Sequence, residues 1–181
     1  MSTMKNPWRK LSGKVIYQDP WMGLLKDRVI KPGGSKGFYA YVNKAPGVVI
    51  IALTQKKEIY LVGQWRYPVG KYSWELPMGA ADKEKGVLAA AKRELAEEAK
   101  VGARDWKKVG MFYFANGSSN QAAHIYVARK LYEKHAQHDD SEELAVKKVP
   151  LKKFERMIQA GGITDGPTIA AYYRAKLYFR L

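Results

Sequence analysis

Short segments rich in β-branched and aromatic residues alternate with turn-forming residues along much of the chain. Pro/Gly clusters at Lys31–Gly37 and Ala45–Gly47 predict turns between the early segments. A further strand-like segment, Leu144–Val149, follows an acidic stretch. The pattern predicts β-strands at Lys14–Gln18, Phe38–Val42, Val48–Leu53, Glu58–Tyr67, Ala123–Tyr132 and, with a weaker pattern, Met111–Ala115.

A helical pattern runs through Gly86–Lys100, which is rich in Ala, Leu, Glu and Lys. Pro150–Ala160 predicts a second helix that ends at a Gly pair. Asp165–Thr168 predicts the start of a third helix, with Pro167 in its first turn. The predicted buried positions are Val87, Ala91, Leu95 and Ala99 in the first helix, Leu151, Phe154 and Ile158 in the second, and Ile169, Tyr173 and Leu177 in the third.

These elements predict a mixed α/β sandwich of the α+β type rather than a parallel βαβ array. The length of 181 residues indicates one domain with a small N-terminal extension. The chain has no cysteine, which excludes a disulfide scaffold, a Cys-ligated zinc site and a cysteine nucleophile. No apolar run approaches the roughly 20 residues of a membrane span. The N-terminal segment lacks the apolar stretch of a signal peptide, so we expect a cytoplasmic protein.

The net charge of +15 is concentrated at the two ends of the chain. Residues 1–36 and residues 147–181 each hold eight basic and two acidic residues, a net of +6, whereas residues 37–146 carry only +3. Such ends attract nucleic acid or a phosphate-rich small molecule, although a merely solubilising surface has the same composition. Because no nucleic-acid-binding motif accompanies the charge, nucleic acid is the less favoured partner.

Three carboxylates share the second face of the first predicted helix. Glu94, Glu97 and Glu98 are three and four positions apart, which groups them within about one helical turn. Carboxylates grouped in this way suit hard cations such as Mg²⁺ and Mn²⁺. The alternative is a solvated, Glu-rich helix face, which the three residues taken alone favour.

The segment before that helix favours the metal interpretation. Trp74–Gly79 (WELPMG) is typical of a strand end that leads into a Pro/Gly turn, which places a loop backbone beside the carboxylates. From Gly79 to Val101 the chain resembles the signature of the Nudix hydrolases, G-x5-E-x7-R-E-U-x-E-E-x-G-U, in which U is aliphatic. The leading glycine and the R-E-U-x-E-E core match at the same spacing. The resemblance implies a Nudix fold, an α/β/α sandwich with a mixed sheet.

Two positions depart from the signature. Lys85 replaces its Glu, and Lys100 replaces its second Gly. In the family that Glu pairs with the Arg of R-E-U-x-E-E. Lys85 facing Arg93 therefore implies either that Glu84 takes over the role or that the site is weakened or repurposed. The second departure is milder, because a helix ends without Gly at a cost of about 1 kcal/mol.

The resemblance covers nearly the whole chain and points to the ADP-ribose pyrophosphatase branch of the family. It implies a homodimer that hydrolyses nucleoside diphosphate sugars and associates through an N-terminal strand layer. We therefore expect residues 1–44 to form an antiparallel β extension used in dimerisation, and residues 45–181 to form the Nudix hydrolase domain. The segments that carry this resemblance are Pro20-Trp21, Gly47–Leu53, Gln64–Pro68, Trp74–Gly79 and Gly162–Arg174.

The resemblance also implies a metal site and a general base. Glu94 and Glu98 become the principal ligands of Mg²⁺ or Mn²⁺, with Glu97 in or near the ligand shell and the backbone carbonyl of Met78 as a further ligand. The base is a carboxylate on the loop His138–Glu143. Its candidates are Glu142, favoured narrowly, then Asp140, with Glu143 as the neighbouring residue.

Three further positions bear on the substrate. Arg66 suits a phosphate or base contact because its guanidinium fork matches phosphate oxygens, although a strand-end surface arginine is equally consistent. Gly79 lies where the loop approaches the ligand, and Trp21 is a candidate for stacking on a nucleobase. Asn116 replaces a proline that tracks with ADP-ribose preference in this branch, so the sugar nucleotide need not be ADP-ribose.

Two other functions stay open from the sequence. The basic ends suggest hydrolysis of a capped or 5′-phosphorylated RNA end. Lys85 suggests a nucleotide-binding Nudix module whose catalysis is impaired.

Overall fold

The computed structural model of the chain describes residues 5–81, 86–134, 136 and 144–179. Within these ranges, strands fill most of the N-terminal part and helices most of the C-terminal part. The elements are β1 (Arg9–Gln18), β2 (Gly23–Ile30), β3 (Lys36–Asn43), β4 (Gly47–Ala52), β5 (Glu58–Arg66), β6 (Lys71–Glu75), β7 (Met78–Ala80), α1 (Val87–Ala99), β8 (Val101–Tyr113), β9 (Ala122–Glu133), β10 (Ala145–Pro150), α2 (Leu151–Gln159) and α3 (Gly166–Phe179).

The chain forms two compact units, the first of which comprises the described residues up to Ala45 together with Tyr113–Gln121. Its sheet has the order β1-β2-β3, and both strand pairs are antiparallel. The segment 113–121 is joined to β3 by backbone hydrogen bonds. The Val42 N–H donates to the Ser118 carbonyl at 2.8 Å, and the Asn120 N–H donates to the Val42 carbonyl at 3.2 Å.

The second unit comprises Pro46–Phe112 and the described residues from Ala122 onward. A mixed sheet has the order β7-β4-β9-β8, in which β4 is parallel to β9 and antiparallel to β7. A smaller antiparallel sheet has the order β10-β5-β6. The predicted fold class, a mixed α/β sandwich with an N-terminal antiparallel β extension, is confirmed. The domain boundary at residues 44 and 45 stays a prediction.

Strand β4 explains why the apolar run of residues 47–53 is continuous. Val49 and Ile51 contribute to a core cluster that also contains Phe154 of α2 and Tyr172 of α3. Val48 and Ile50, which alternate with them along the strand, contribute to a second cluster with Leu95 and other residues of α1. Because both faces of this strand are covered, every position from Gly47 to Ala52 is buried and apolar. No helix in the described ranges is long and apolar enough to cross a lipid bilayer.

The predicted buried stripe of the third helix is wrong for two of its three residues, since only Ile169 packs against the core. Tyr173 and Leu177 are 40% and 80% exposed, and the buried positions are Thr168, Ala171, Tyr172 and Ala175. The reason is that Tyr172 is turned inward by two contacts. Its ring meets Phe154 edge-on with 4.9 Å between centroids, and its hydroxyl donates to the Glu155 carboxylate at 2.7 Å. Apolar residues on a neighbouring stripe of the same helix therefore stay on the surface.

Candidate active site

Helix α1 presents two of its three carboxylates to the protein interior. Glu94 and Glu98 are each only 8% exposed, whereas the side chain of Glu97 is 31% exposed. The positions i and i+4 lie on one face, so Glu94 and Glu98 face inward together, beside the small apolar residues of α1. For these two residues the structure excludes a solvated helix face.

Strand β7 places backbone polar groups against this face of α1. Among the described strands, β7 is at the edge of its sheet and pairs only with β4. The Ile50 N–H donates to the Pro77 carbonyl and the Ala81 N–H to the Pro46 carbonyl, so the antiparallel alternation turns the N–H and C=O of Met78 away from β4. The Met78 N–H accordingly donates to Oε2 of Glu98 at 3.0 Å.

The missing side chain at position 79 allows this approach. A Cβ at Gly79 would overlap the carboxyl group of Glu94. The strand and the helix can therefore lie this close only with glycine here. Gly79, Glu94 and Glu98 thus form one compact arrangement, as the signature spacing requires.

Arg93 contacts carboxylates of α1 and the backbone of β7. Its Nη1 donates to Glu97 at 2.7 Å, and its Nη2 donates to Glu94 at 2.6 Å and to the Ala80 carbonyl at 3.1 Å. Burial lowers the pKa of Arg93, but the two carboxylates outweigh this effect and raise it. Arg93 is therefore anchored by α1 and β7. Glu84 and Lys85, which were predicted to decide its partner, lie outside the described residues.

Arg66 at the end of β5 makes a bidentate ion pair with Glu75 of β6. Nε donates to Oε1 at 2.9 Å and Nη2 to Oε2 at 2.5 Å. Glu75 is 2% exposed, whereas the Arg66 side chain is 37% exposed. Burial and the charge of Glu75 raise the pKa of Asp165, although its bonds from Thr168 and the charge of Arg66 oppose this. Neither Glu75 nor Asp165 was predicted to belong to the site.

Comparison with known proteins identifies the family. Residues 43–172 match the NUDIX domain. The chain belongs to the NUDIX family. Residues 8–42 match the nucleoside diphosphate sugar hydrolase N-terminal domain. Together the two matches make this Nudix protein a pyrophosphohydrolase of the nucleoside diphosphate sugar hydrolase type.

Two ADP-ribose pyrophosphatases are similar to this chain over most of its length. ADP-ribose pyrophosphatase of Bacillus subtilis is 28% identical over 88% of this chain and 84% of its own length. ADP-ribose pyrophosphatase of Mycobacterium tuberculosis is 28% identical over 92% of this chain and 82% of its own. The crystal structure of an ADP compounds hydrolase covers 99% of this chain and 97% of its own with a TM-score of 0.86. At 18% identity this last similarity shows the fold alone, and it confirms the predicted Nudix fold.

The donor set of this Nudix site fits a divalent metal ion, which the family typically uses. Within the described ranges, no group of three or more His, Asp or Glu side chains has the arrangement of a metal site. The donors present are the carboxylates of Glu94 and Glu98 and the outward-turned carbonyl of Met78, all of them the hard oxygen donors that Mg²⁺ and Mn²⁺ prefer. Two buried carboxylates one turn apart also favour nearby positive charge, and Arg93 supplies such charge to Glu94.

The remaining predicted site residues are Trp21, which belongs to the first unit, and three carboxylates outside the described ranges. Trp21 is 78% exposed at the turn between β1 and β2, where the Asp19 carboxylate accepts its backbone N–H at 2.7 Å. The predicted general-base candidates Asp140, Glu142 and Glu143 lie outside the described residues.

Proposed function

We propose that this Nudix enzyme hydrolyses the diphosphate bond of an ADP-ribose-like nucleoside diphosphate sugar, giving a nucleoside monophosphate and a sugar phosphate. The observation that carries the proposal is the pair of buried carboxylates, Glu94 and Glu98, against the Met78-Gly79 segment. The N-terminal domain match and the two ADP-ribose pyrophosphatases support the substrate class.

Each residue of the site has a role in this proposal. Glu94 and Glu98 hold a divalent ion, Mg²⁺ or Mn²⁺, with Glu97 near them and the Met78 carbonyl as a further donor. When bound, such an ion neutralises charge on the diphosphate and acidifies water. Gly79 keeps the strand close to the helix, and Arg93 fixes the direction of the Glu94 carboxylate.

The acidic loop and two further side chains complete the proposal. Glu142, or Asp140 in its place, accepts the proton of the attacking water, with Glu143 beside them. Arg66 binds a substrate phosphate through its accessible edge. Trp21 stacks on the nucleobase. A cytoplasmic location stays a prediction from the sequence.

We also propose a homodimer that forms through the first unit. Every residue of β1 is exposed, and several of them are large and apolar. A monomer seldom leaves so many apolar side chains in water on one element, and such surfaces mark protein interfaces. The exposed apolar residues of this surface are Leu11, Val15, Ile16, Tyr17 and, on β3, Phe38.

A screen of nucleotide sugars tests the proposed activity. The purified chain is incubated with each compound and Mg²⁺ or Mn²⁺, and phosphate released by a coupled phosphatase is measured. We expect turnover of at least one nucleoside diphosphate sugar and none without metal. A capped RNA and a 5′-triphosphorylated RNA are included, and turnover of RNA alone would replace the proposed substrate class.

The variant Glu98→Gln links the activity to the site. It removes one carboxylate charge while keeping the side-chain shape, so we expect kcat to fall by about 100-fold or more with an unchanged circular dichroism spectrum. Glu133→Gln, an exposed glutamate on β9, is the matched control and should keep full activity. Full activity of Glu98→Gln would refute the assigned metal ligands.

A further inference from the structure

The pair between Arg66 and Glu75 constrains the arginine more than a simple charge contact does. Two parallel hydrogen bonds, at 2.9 Å and 2.5 Å, fix the plane of the guanidinium as well as its position. Glu75 is buried and the Arg66 side chain is partly exposed, so the pair joins the interior to a surface that a ligand can reach. The arginine is thereby directed before any substrate arrives.

Glu75 is in turn tied to the start of helix α3. The N–H of Leu76, the next residue, donates to Oγ1 of Thr168 at 2.9 Å. Thr168 is fully buried, and its own N–H donates to the Asp165 carboxylate at 2.8 Å. A continuous set of contacts therefore runs from the N-terminus of α3 through the end of β6 to Arg66.

Stability alone is a weak reason for this arrangement. Burying the charge of Glu75 costs free energy that its bonds to Arg66 largely offset, and an apolar pair of similar size often stabilises a fold as well. An apolar pair would not hold a guanidinium in one orientation. These contacts are therefore better explained by the orientation that they give to the Arg66 guanidinium than by a gain in the stability of the fold.

We propose that Glu75 is a positioning residue for phosphate binding by Arg66, and that Thr168 and Asp165 at the start of α3 hold Glu75 in place. This inference rests on the proposed function, because it takes Arg66 as a contact of the substrate diphosphate. Glu75 acts only through Arg66 and does not itself touch substrate. Its loss therefore matters only while Arg66 is present.

A double-mutant cycle tests this dependence. Glu75→Gln keeps the size of the side chain but replaces one carboxylate oxygen with an amide N–H₂, which cannot accept from the arginine. The pair of parallel hydrogen bonds from Arg66 is therefore lost. We expect KM for the best nucleotide sugar to rise about tenfold with a smaller change in kcat, and Arg66→Ala to raise KM at least as much. The double variant should be no worse than Arg66→Ala. Additive losses in the double variant, or an unchanged KM for Glu75→Gln, would overturn the inference.

Two further variants keep the test valid if Glu75→Gln is unstable. Thr168→Val removes the hydroxyl that accepts the Leu76 N–H, and Thr168→Ser keeps it. We expect a raised KM in the first and a near-normal KM in the second, with no effect of either in the Arg66→Ala background. Asp105→Asn breaks the ion pair with Arg129, an arginine about as exposed as Arg66, and should leave KM unchanged. Equal KM values for the valine and serine variants would count against the network.

ADP binding separates this inference from the proposed activity. The shift in melting temperature caused by ADP is measured for wild type, Glu75→Gln, Arg66→Ala and the double variant. If wild type hydrolyses no nucleotide sugar, the proposed function fails, yet equal and non-additive losses of the ADP shift would still support the positioning role. If wild type shows no shift with ADP, or if Arg66→Ala keeps the full shift, the positioning role is wrong whatever the activity.

Discussion

At the scale of single residues, Gly79 determines how closely β7 can approach α1, and with it the position of the Glu94 carboxyl group. In Gly79→Ala the added methyl group overlaps the Glu94 carboxyl, so the strand or the carboxylate must move. We expect turnover to fall by about 100-fold or more, because a displacement near 1 Å at a reacting centre has that effect. Steady-state kinetics measure it. Gly33→Ala, whose Cβ would meet open space, is the control. Equal activities of the two variants would contradict the predicted clash.

Lys100 illustrates a different effect of a single residue, on stability alone. It ends α1 in the left-handed conformation, with φ of 57° and ψ of 31°, where a side chain is strained. Lys100→Gly should therefore raise the free energy of unfolding by about 1 kcal/mol and the melting temperature by about 2–4 °C. Kinetics should not change.

The same substitution inside the helix serves as the control for Lys100→Gly. Lys92 is exposed within α1 and has helical neighbours on both sides. Lys92→Gly should lower the free energy of unfolding by about 1 kcal/mol, since glycine is a poor former of helix interiors. Thermal melts of the two variants should move in opposite directions. If the melting temperatures of both variants fall, the backbone strain at position 100 does not measurably lower the stability of the wild-type protein.

The residues of the site differ in how far the sequence could predict them. Helical spacing placed Glu94 and Glu98 on one face, and the structure shows both buried there. The pairing of Arg66 with Glu75 depends on the register of a hairpin, which no local pattern specifies. The contact of Leu76 with Thr168 joins residues 92 positions apart, and only the packing of α3 creates it.

At the scale of elements, strands were predicted well where one pattern ran through the whole segment. Strand β4 is apolar throughout because both of its faces are covered. Strand β2 was missed because Lys26, Asp27 and Arg28 interrupt its apolar residues. It is a strand because β1 and β3 pair with it on both sides. Pairing across a sheet, rather than intrinsic preference, decides such segments.

The start of helix α3 gives a prediction about pH. Asp165 caps the helix by accepting the Thr168 N–H, but burial raises its pKa above the value in the unfolded chain. At pH values between its two pKa values, Asp165 therefore binds more protons in the folded state than in the unfolded state. Its contribution to the stability of the fold decreases as pH rises through that range. Asp165→Asn keeps a capping oxygen without the charge. We expect equal or higher stability at pH 7 and a smaller gain on acidification.

Chemical denaturation at several pH values between 3 and 7 measures the effect of Asp165→Asn. The difference in unfolding free energy between the variant and wild type should shrink as pH falls, since wild-type Asp165 then becomes neutral as well. Asp105→Asn, which breaks an ion pair on strand β8, is the comparison. A difference that is constant across the pH range would mean that Asp165 does not titrate abnormally.

At the scale of the whole molecule, the apolar surface of the first unit leads us to predict that two chains associate. Strand β1 is an edge strand that leaves Val15 and Tyr17 55% and 53% exposed. An open edge with apolar side chains associates with another surface unless charge or a covering element prevents it. Val15 and Tyr17 stay exposed although the basic residues Lys10 and Lys14 lie on the same strand. A second copy of the chain is always available as the partner.

Light scattering after size exclusion tests this association. We expect wild type to have the mass of two chains and Val15→Lys to shift toward the mass of one chain. A lysine at position 15 would be buried without a partner in the dimer interface, which disfavours association. In the monomer the same lysine is exposed to water and leaves the fold intact. Lys14→Gln, at the neighbouring exposed position, should remain a dimer. If Val15→Lys is monomeric and keeps its turnover, each chain holds a complete site. If turnover falls with the mass, the partner contributes to the site. A wild-type mass of one chain at all concentrations would contradict the proposed dimer.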